Sequence, residues 1–255
     1  MKILIFSGTA DGRRLSYDLA SMGHEVTVSV ASCTGKAFEE QAHPEIRTVC
    51  GRKTAAEMTA LMEGNDLIID ATHPYAAEAS REIRLAEGEA AKKLLCLKRP
   101  ESVAPYGTVK VRSAEEAAEY LSGREGNILL TTGSKELAAF EKLSRDRLYV
   151  RILPMVPAIQ AAEAAGIDSR HIIAMTGPFS RTFNEFLIRA FKISWLVTKD
   201  GGPEGGFYEK AAACENCEIP MVLITRPEDG EGLFYEELLK EVCRCASPCV
   251  PKGTA

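Results

Sequence analysis

The sequence predicts an α/β protein with two mainly parallel sheets, and three observations support this fold class. Short apolar runs alternate with longer stretches of helical periodicity over most of the 255 residues. Most of these runs consist of β-branched residues and leucine without in/out alternation, which is typical of strands buried on both faces. Ten such runs are too many for one doubly wound sheet, so we predict two domains.

The first half of the chain contains five candidate strands and four candidate helices. The strands are predicted at 3–6, 25–30, 67–70, 93–97 and 108–111. The helices are predicted at 12–22, 55–63, 76–88 and 114–121. This order of elements predicts parallel strands joined by right-handed crossovers.

The second half repeats the alternation and ends in an amphipathic helix. Its strands are predicted at 128–131, 149–153, 172–175, 194–197 and 221–224. Its helices are predicted at 135–143, 158–165, 180–191 and 233–245. The polar, turn-rich stretch 122–127 is the predicted linker. We therefore predict a first domain over 1–125, a second over 126–245 and a flexible tail over 246–255.

The composition excludes several classes of protein. A net charge of −5 argues against nucleic-acid binding, which usually needs a basic surface. No apolar run approaches the roughly 18 residues that span a bilayer, and the run at 3–6 is too short for a signal peptide. We expect a cytoplasmic protein, as a monomer or small homo-oligomer, whose eight cysteines are thiols. The C-x-x-C at 214–217 lacks a second pair at zinc-finger spacing, so we predict no metal site.

Ligands of parallel α/β sheets bind at the carboxyl ends of the strands, so the turns after strands are candidate sites. The first such turn contains Ser7, Gly8, Thr9, Asp11 and Arg13. Gly8 lets the backbone approach a phosphate, the hydroxyls can donate hydrogen bonds, and the N-terminus of the next helix favours an anion. The turn departs from the G-x-G-x-x-G pattern, so a plain tight turn is the alternative.

A second turn, after the strand at 67–70, contains Thr72, His73, Pro74 and Tyr75. Pro74 keeps His73 out of the following helix and so places an imidazole on an exposed loop. An imidazole at the ligand end of a sheet indicates proton transfer or ligand contact. The alternative is that His73 caps the helix or bonds a neighbouring carbonyl.

Two turns of the second half combine glycine with a hydroxyl that could cap the next helix. They contain Thr132, Gly133, Ser134 and Lys135 in one case and Gly177 and Ser180 in the other. Helix capping alone explains each turn, but their recurrence at equivalent points favours a second ligand face.

The loop 198–207 contains four glycines and a proline, which allow it to wrap a large ligand. It begins with Lys199 and Asp200, for which a solvated ion pair is the alternative reading. Arg151 and Lys210 could add positive charge at the same edge, which would suit a polycarboxylate ligand.

Taken in order, these motifs resemble the precorrin-6A reductase family of corrin biosynthesis, from residue 3 to about residue 227. In the first half the matching motifs are Gly8-Thr9-x-Asp11-Gly12-Arg13, Gly51-Arg52 and Ile69-Asp70-Ala71-Thr72-His73-Pro74-Tyr75-Ala76. In the second half they are Leu130-Thr131-Thr132-Gly133-Ser134-Lys135, Arg151-x-Leu153-Pro154, Gly177-Pro178-Phe179-Ser180, Val197-Thr198-Lys199-Asp200, Gly205-Gly206-Phe207-x-x-Lys210 and Arg226-Pro227. Each motif alone is common, but the ordered set is specific.

The resemblance implies an enzyme of two Rossmann-like domains with a ligand cleft between them. It would transfer a hydride from NADPH or NADH to the C18=C19 double bond of a tetrapyrrole, precorrin-6A or cobalt-precorrin-6A. The implied cofactor-binding residues are Ser7, Gly8, Thr9, Asp11, Arg13, Ser32, Thr72, His73, Pro74 and Tyr75. The implied substrate-binding residues are Tyr75, Thr132, Gly133, Ser134, Lys135, Arg151, Gly177, Ser180, Lys199, Asp200, Gly206 and Phe207. Lys199, Asp200 and His73 are the candidate proton handlers.

Three departures from the family pattern affect these expectations. The run Ala31-Ser32-Cys33-Thr34-Gly35 lacks the arginine that could hold a 2′-phosphate, and Lys36 is a candidate substitute. The same run is similar to members of the anaerobic branch, which use the cobalt-containing substrate. Gly201 follows Lys-Asp in place of the usual serine, and Thr176 replaces a frequent glutamine. The alternatives are a tetrapyrrole methyltransferase that uses S-adenosylmethionine and a non-catalytic two-domain module for a small ligand.

Overall fold

A computed structural model describes residues 1–31, 46–226 and 232–246. These residues form two α/β units, each with its own sheet. The first unit contains the described residues up to Pro100 and those from 232 onward, and the second runs from Glu101 to Arg226. Among the helices of the described residues, none is both long and apolar enough to cross a membrane.

Helices and strands alternate along the chain in both units. Up to Pro100 they are β1 (Lys2–Ser7), α1 (Ala10–Ser21), β2 (Glu25–Val30), β3 (Arg47–Cys50), α2 (Ala55–Glu63), β4 (Leu67–Asp70), α3 (Ala77–Ala90) and β5 (Leu94–Lys98). The second unit contains β6 (Val109–Val111), α4 (Ala114–Ser122), β7 (Asn127–Leu130), β8 (Leu148–Ile152), α5 (Val156–Ala164), β9 (Ile172–Ala174), α6 (Arg181–Ala190), β10 (Ile193–Lys199), α7 (Phe207–Asn216) and β11 (Met221–Ile224). The chain then continues with β12 (Leu233–Phe234) and α8 (Tyr235–Ala246).

Each sheet has six strands, and all the neighbouring strands are parallel. The first sheet has the order β3-β2-β1-β4-β5-β12. The second has the order β9-β8-β7-β10-β11-β6. The first order is that of the doubly wound dinucleotide-binding fold, and the second is the same except that its outermost strand comes first in the chain. The two-sheet, Rossmann-like prediction is therefore confirmed.

The burial of the first sheet on both faces explains why apolar and polar residues do not alternate along its strands. Ile3, Leu4 and Ile5 are consecutive residues of β1, and all three are fully buried. Alternate residues face opposite sides: Ile3 and Ile5 share a core with α1 and α8, whereas Leu4 packs with α2 and α3. Helices cover both faces, so every strand position must be apolar.

The structure divides the chain differently from the predicted boundary between 125 and 126. Strand β6 belongs to the second unit because it pairs with β11, where Val222 lies opposite Val109. Helix α8 belongs to the first unit because Leu238 and Val242 are fully buried in its core. The chain therefore passes from the first unit to the second and back again.

Four further elements differ from their prediction. Strands β3 and β12 were not predicted, and the helix predicted at 135–143 is a 3-10 helix over Ser134–Phe140. Helix α8 extends to Ala246, the first residue of the predicted tail, and the rest of that tail lies outside the described residues.

Candidate functional site

In the first sheet the strand order reverses between β1 and β4, so the turns after these two strands flank the point where ligands of such sheets bind. These are the two turns that were predicted to bind the cofactor, one with Gly8 and one with Thr72. Both predicted cofactor turns therefore lie at the topological switch point of the first unit.

The turn after β1 is shaped for close approach of a ligand. Gly8 has φ +147°, and a Cβ built on it would meet nothing within 4 Å, so open space lies beside its backbone. The Ser7 hydroxyl is buried and has no hydrogen-bond partner among the described residues. A buried polar group without a partner is costly, and a ligand at this turn would remove the cost.

Helix α1 begins directly after this turn. Thr9 caps the helix by accepting a hydrogen bond from the Gly12 N–H to its Oγ1 at 3.1 Å. A Cβ on Gly12 would lie 2.4 Å from the Ser7 Oγ, so glycine is needed there for the helix to pack closely on β1. Asp11 and Arg13, both half-buried, lie in the first turn of the helix.

Arg99, which belongs to none of the predicted motifs, connects the two turns. Its Nε donates to the Asp11 Oδ2 at 2.7 Å and its Nη2 to the Thr9 Oγ1 at 2.9 Å. Its Nη1 also donates to the Thr72 carbonyl at 3.0 Å. The one feature of the sequence that could have indicated a role for Arg99 is its position directly after β5, at the carboxyl edge of the sheet.

The turn after β4 is fixed by Asp70. The Asp70 Oδ1 accepts hydrogen bonds from the Thr72 backbone N–H at 2.9 Å and from the Thr72 hydroxyl at 2.7 Å. His73 is exposed, and its Nδ1 accepts a hydrogen bond from the Tyr75 N–H at 3.3 Å. Asp70, Thr72, His73 and Arg99 help to line a surface pocket of the first unit. His73 therefore lies where a bound ligand could contact it.

These features fit a nicotinamide dinucleotide. The open space at Gly8, the buried Ser7 hydroxyl and the N-terminus of α1 match the requirements of a pyrophosphate group. Of the other predicted cofactor contacts, Pro74 and Tyr75 are half-buried in the second turn. Ser32 and Lys36 lie outside the described residues.

In the second sheet the order reverses between β7 and β10, and two of the predicted substrate loops follow these strands. The third, with Gly177 and Ser180, follows the edge strand β9. After β7, Thr132 is buried with its hydroxyl unpaired within the described part of the chain, whereas Lys135 is exposed. Lys199, at the end of β10, forms an ion pair with Glu136. The alternative reading of a solvated Lys199–Asp200 ion pair does not describe Asp200, which is buried.

Asp200 is 2% exposed and is surrounded by hydrogen-bond donors. Its carboxylate accepts bonds from the Ser102 hydroxyl at 2.6 Å, the Gly202 N–H at 3.2 Å and the Arg226 Nη2 at 3.2 Å. Burial by itself would raise the pKa of this carboxyl, but the bonds from Ser102 and Gly202 and the charge of Arg226 together hold the pKa below its ordinary value. Asp200 is therefore an ionised group that shapes the loop, and this geometry does not suit a proton donor.

Arg151 is a buried cation on β8. Its Nη1 donates to the Asn184 Oδ1 at 2.7 Å, and its guanidinium lies 4.2 Å from the centre of the Phe179 ring. Burial lowers its pKa to about 10. Asn184 is a fully buried polar residue within α6 and was not predicted from the sequence. Ser180 caps α6, because its hydroxyl accepts a hydrogen bond from the Phe183 N–H at 3.2 Å. This is the helix-capping role that the sequence offered as the alternative for this turn.

Two residues at the start of α7 were predicted to contact the substrate, and they differ in how deeply they are buried. Gly206 caps the helix and is half-buried. Phe207 is fully buried in the core with Leu187 and Leu196, so its ring is a core side chain in this structure and its predicted substrate contact stays a prediction. Its apolar ring packs beneath the loop because the first turn of α7 faces the sheet.

The cysteines of the described residues are free thiols. Burial raises the pKa of Cys214 to about 12, so the first thiol of the C-x-x-C is protonated and inert. Within the described ranges, no group of three or more His, Cys, Asp or Glu residues is placed to hold a metal ion.

The comparisons with known proteins agree with one another. A family model described as Precorrin-6x reductase CbiJ/CobK matches residues 2–244. A cobalt-precorrin-6A reductase from Priestia megaterium is 33% identical over 240 residues, which cover 91% of this chain and 93% of that protein. One from Methanothermobacter thermautotrophicus is 34% identical over 244 residues, covering 92% and 80%.

A solved structure, a CobK precorrin-6A reductase, has the same fold. It matches with a TM-score of 0.74 at 22% identity, covering 96% of this chain and 98% of that one. The family model spans nearly the whole chain, and relatives more than 30% identical cover nine-tenths of it. The chain therefore belongs to the CbiJ/CobK family of precorrin-6x reductases and is an oxidoreductase of that type.

Proposed function

We propose that this enzyme reduces cobalt-precorrin-6A to cobalt-precorrin-6B, in the anaerobic branch of cobalamin biosynthesis. A hydride from NADPH or NADH is added to the C18=C19 double bond. The observation that carries the proposal is the switch point between β1 and β4, where a ligand-shaped turn at Gly8 occurs in a chain of this reductase family. The cobalt form is supported by the names of both relatives.

The residues of the first unit bind and orient the cofactor. Gly8 gives the pyrophosphate access to the backbone, and the Ser7 hydroxyl and the N-terminus of α1 bind its oxygens. Arg99 holds the two turns in place through Asp11, Thr9 and the Thr72 carbonyl. When bound, the cofactor supplies the hydride; the protein supplies its orientation and excludes water.

The residues of the second unit bind the macrocycle. The substrate class carries many carboxylates, and three cations lie near the carboxyl edge of this sheet: the buried Arg151 and Lys210, and Lys199 at the end of β10. The loop between Asp200 and Gly206 is held by the hydrogen bonds to the Asp200 carboxylate and follows the end of β10.

Reduction of a C=C bond also needs a proton on the carbon next to the one that takes the hydride. Lys199 and His73 are the proposed proton handlers because each is a titratable group at the carboxyl end of its sheet. Asp200 is assigned a positioning role instead, since its carboxylate is buried and its pKa is lowered. Most of the rate enhancement is expected to come from positioning.

The test is anaerobic turnover with cobalt-precorrin-6A and with metal-free precorrin-6A, each with NADH and NADPH, followed at the absorbance band of the reduced nicotinamide. Oxidation of cofactor with the cobalt substrate, faster than with the metal-free one, is the expected result. Faster turnover of metal-free precorrin-6A would overturn the assignment to the cobalt branch. If the cofactor binds but is not oxidised with either macrocycle, the proposed substrate is wrong.

The two alternatives from the sequence predict other outcomes. A methyltransferase would bind S-adenosylmethionine, and a non-catalytic module would bind ligand without a change in nicotinamide absorbance. The family match favours the reductase over both.

A further inference from the structure

Two buried cations lie at the carboxyl edge of the second sheet. Arg151 is 8% exposed and Lys210 is 5% exposed. Arg151 follows Tyr149 by two residues on β8, so both side chains face the side of the sheet that is packed against α6 and α7. Lys210 is in the first turn of α7, on that same side. The two positive groups therefore lie near each other under the loop that precedes α7.

Neither cation has a carboxylate bound to it within the described residues. Arg151 donates to the neutral Asn184 Oδ1 at 2.7 Å, and the Lys210 Nζ donates to the Gly205 carbonyl at 3.0 Å. Burial of a charge without an opposite charge is expensive, and a second cation close by adds to the expense. An anion bound to both groups would remove this cost.

The electrostatics of Lys210 agree with this arrangement. Burial, followed by the positive charge of Arg151, lowers its pKa to about 7. Three groups act in the opposite direction with smaller effects: Glu209 and Cys214 on α7, and Asp200 after β10. Cys214 is protonated and Asp200 pairs with Arg226, and their effects on the pKa of Lys210 are smaller than those of burial and of Arg151. One Glu209 carboxylate oxygen is buried and makes no hydrogen bond to the described residues, so it does not bind Lys210 either.

We infer that Arg151 and Lys210 form a receptor for one carboxylate of the substrate, and that Lys210 takes up a proton when this carboxylate binds. The inference rests on the proposed function, because it takes the ligand to be a polycarboxylated macrocycle. The proton comes from solvent and converts the neutral amine to an ammonium ion, which pairs with the carboxylate. Binding therefore weakens as the pH rises above 7.

The competing explanation is that Lys210 only fastens the loop through the Gly205 carbonyl. A purely structural lysine would affect stability, but it would not make ligand affinity depend on pH. The experiment must therefore measure affinity as a function of pH and count the protons bound.

The probe is uroporphyrin III, a fluorescent tetrapyrrole with eight carboxylates, titrated into the full chain at pH 6.5, 7.5 and 8.5. For the wild type we expect Kd to rise by roughly 25-fold across this range, as for a ligand that requires a group of pKa near 7 to be protonated. Lys210→Met should bind about tenfold more weakly at pH 6.5 and show no such pH dependence. Lys142→Met, a change at an exposed lysine of the same unit, should behave as the wild type does.

Two further measurements make the result independent of how Lys210→Met folds. Calorimetry of the wild type at pH 7.5, in two buffers of different ionisation enthalpy, should show proton uptake on binding. Arg151→Met should move the pH dependence to higher pH, because a neighbouring positive charge has been removed. Absence of proton uptake, unchanged affinity in Lys210→Met, or failure of the wild type to bind the probe would each overturn the inference. Turnover is not measured here, so a failure of the proposed reaction would be seen separately.

Discussion

The Arg99 guanidinium donates to the Asp11 carboxylate at 2.7 Å, which joins the end of β5 to the first turn of α1. The same guanidinium bonds the Thr9 hydroxyl and the carbonyls of Ala71 and Thr72. One side chain thus holds both turns that flank the switch point of the first unit. Its side chain is only 13% exposed, so these bonds are largely shielded from water.

We predict that Arg99→Met weakens cofactor binding and lowers the free energy of unfolding by about 1–3 kcal/mol, because several partly buried acceptors lose their donor. Calorimetric titration with NADPH and NADH, together with chemical denaturation, measures both effects. Arg112→Met is the matched control. Arg112 is exposed in the second unit, and within the described residues it bonds only Glu116. Equal cofactor affinity in Arg99→Met and the wild type would contradict the role given to Arg99.

Gly8→Val is expected to weaken cofactor binding by at least an order of magnitude, since its side chain would occupy the open space beside the backbone. A β-branched residue at φ +147° is also strained, so some loss of stability accompanies the change. Gly107→Val separates the two effects, because Gly107 has φ +80° and open space but lies in the other unit. A parallel loss of cofactor affinity in both variants would show that strain alone is responsible.

Asp200→Asn should destabilise the second unit by about 1–3 kcal/mol, because it removes the charged acceptor that Ser102, Gly202 and the Arg226 guanidinium share. The pKa of Asp200 is lowered in the folded state, so its contribution to stability is present above the unfolded pKa, near 4, and is lost as the pH falls through the folded value. The wild type should therefore lose more stability than the variant as the pH falls below about 4. Parallel stability curves for the two proteins would contradict this assignment.

Lys199→Met is predicted to lower kcat on the order of 100-fold, with cofactor affinity unchanged, if the lysine handles the proton. Glu136→Gln keeps the lysine and removes its ion-pair partner, so it should retain most of the activity. The measurement is steady-state turnover with each macrocycle. Normal turnover of Lys199→Met, together with loss of turnover in His73→Asn, would assign the proton to His73.

The buried Lys210 should leave a signature in stability. Its pKa of about 7 in the folded state lies below that of an exposed lysine, so the unfolded state binds more protons between these values. The free energy of unfolding of the wild type, relative to Lys210→Met, should therefore rise with pH by about 1.4 kcal/mol per unit from pH 7.5 to 8.5. Below pH 7 the difference should level off, since both states are protonated there. Urea denaturation across this range measures it, and a flat difference would contradict the lowered pKa.

The sequence predicted the elements whose burial is uniform and missed those whose signal is weak. Strand β1 is apolar at nearly every position, whereas β3 is a partly exposed edge strand with the sequence Arg-Thr-Val-Cys. The domain boundary was misplaced because β6 pairs with a strand more than a hundred residues later. No local pattern in the linker could show such a pairing.

In the candidate site, too, residues within recognisable motifs were predicted and residues placed only by the fold were not. Gly8 and Thr9 lie in a recognisable turn, so their place at the sheet edge was predictable. Arg99 and Ser102 are not part of any motif, and their importance comes only from the carboxylates that the fold brings to them. Phe207 belongs to a glycine-rich motif, yet its side chain turns into the core.

The discontinuity of the first unit affects how the chain is made. Its sixth strand and the helix that carries Leu238 and Val242 follow the entire second unit in the sequence. A ribosome adds roughly 5–20 residues per second, so the first five strands wait several seconds or longer for their last partners to emerge. The second unit, by contrast, is continuous and can close as soon as β11 is released. The part of the chain that is synthesised first is thus the last to be completed.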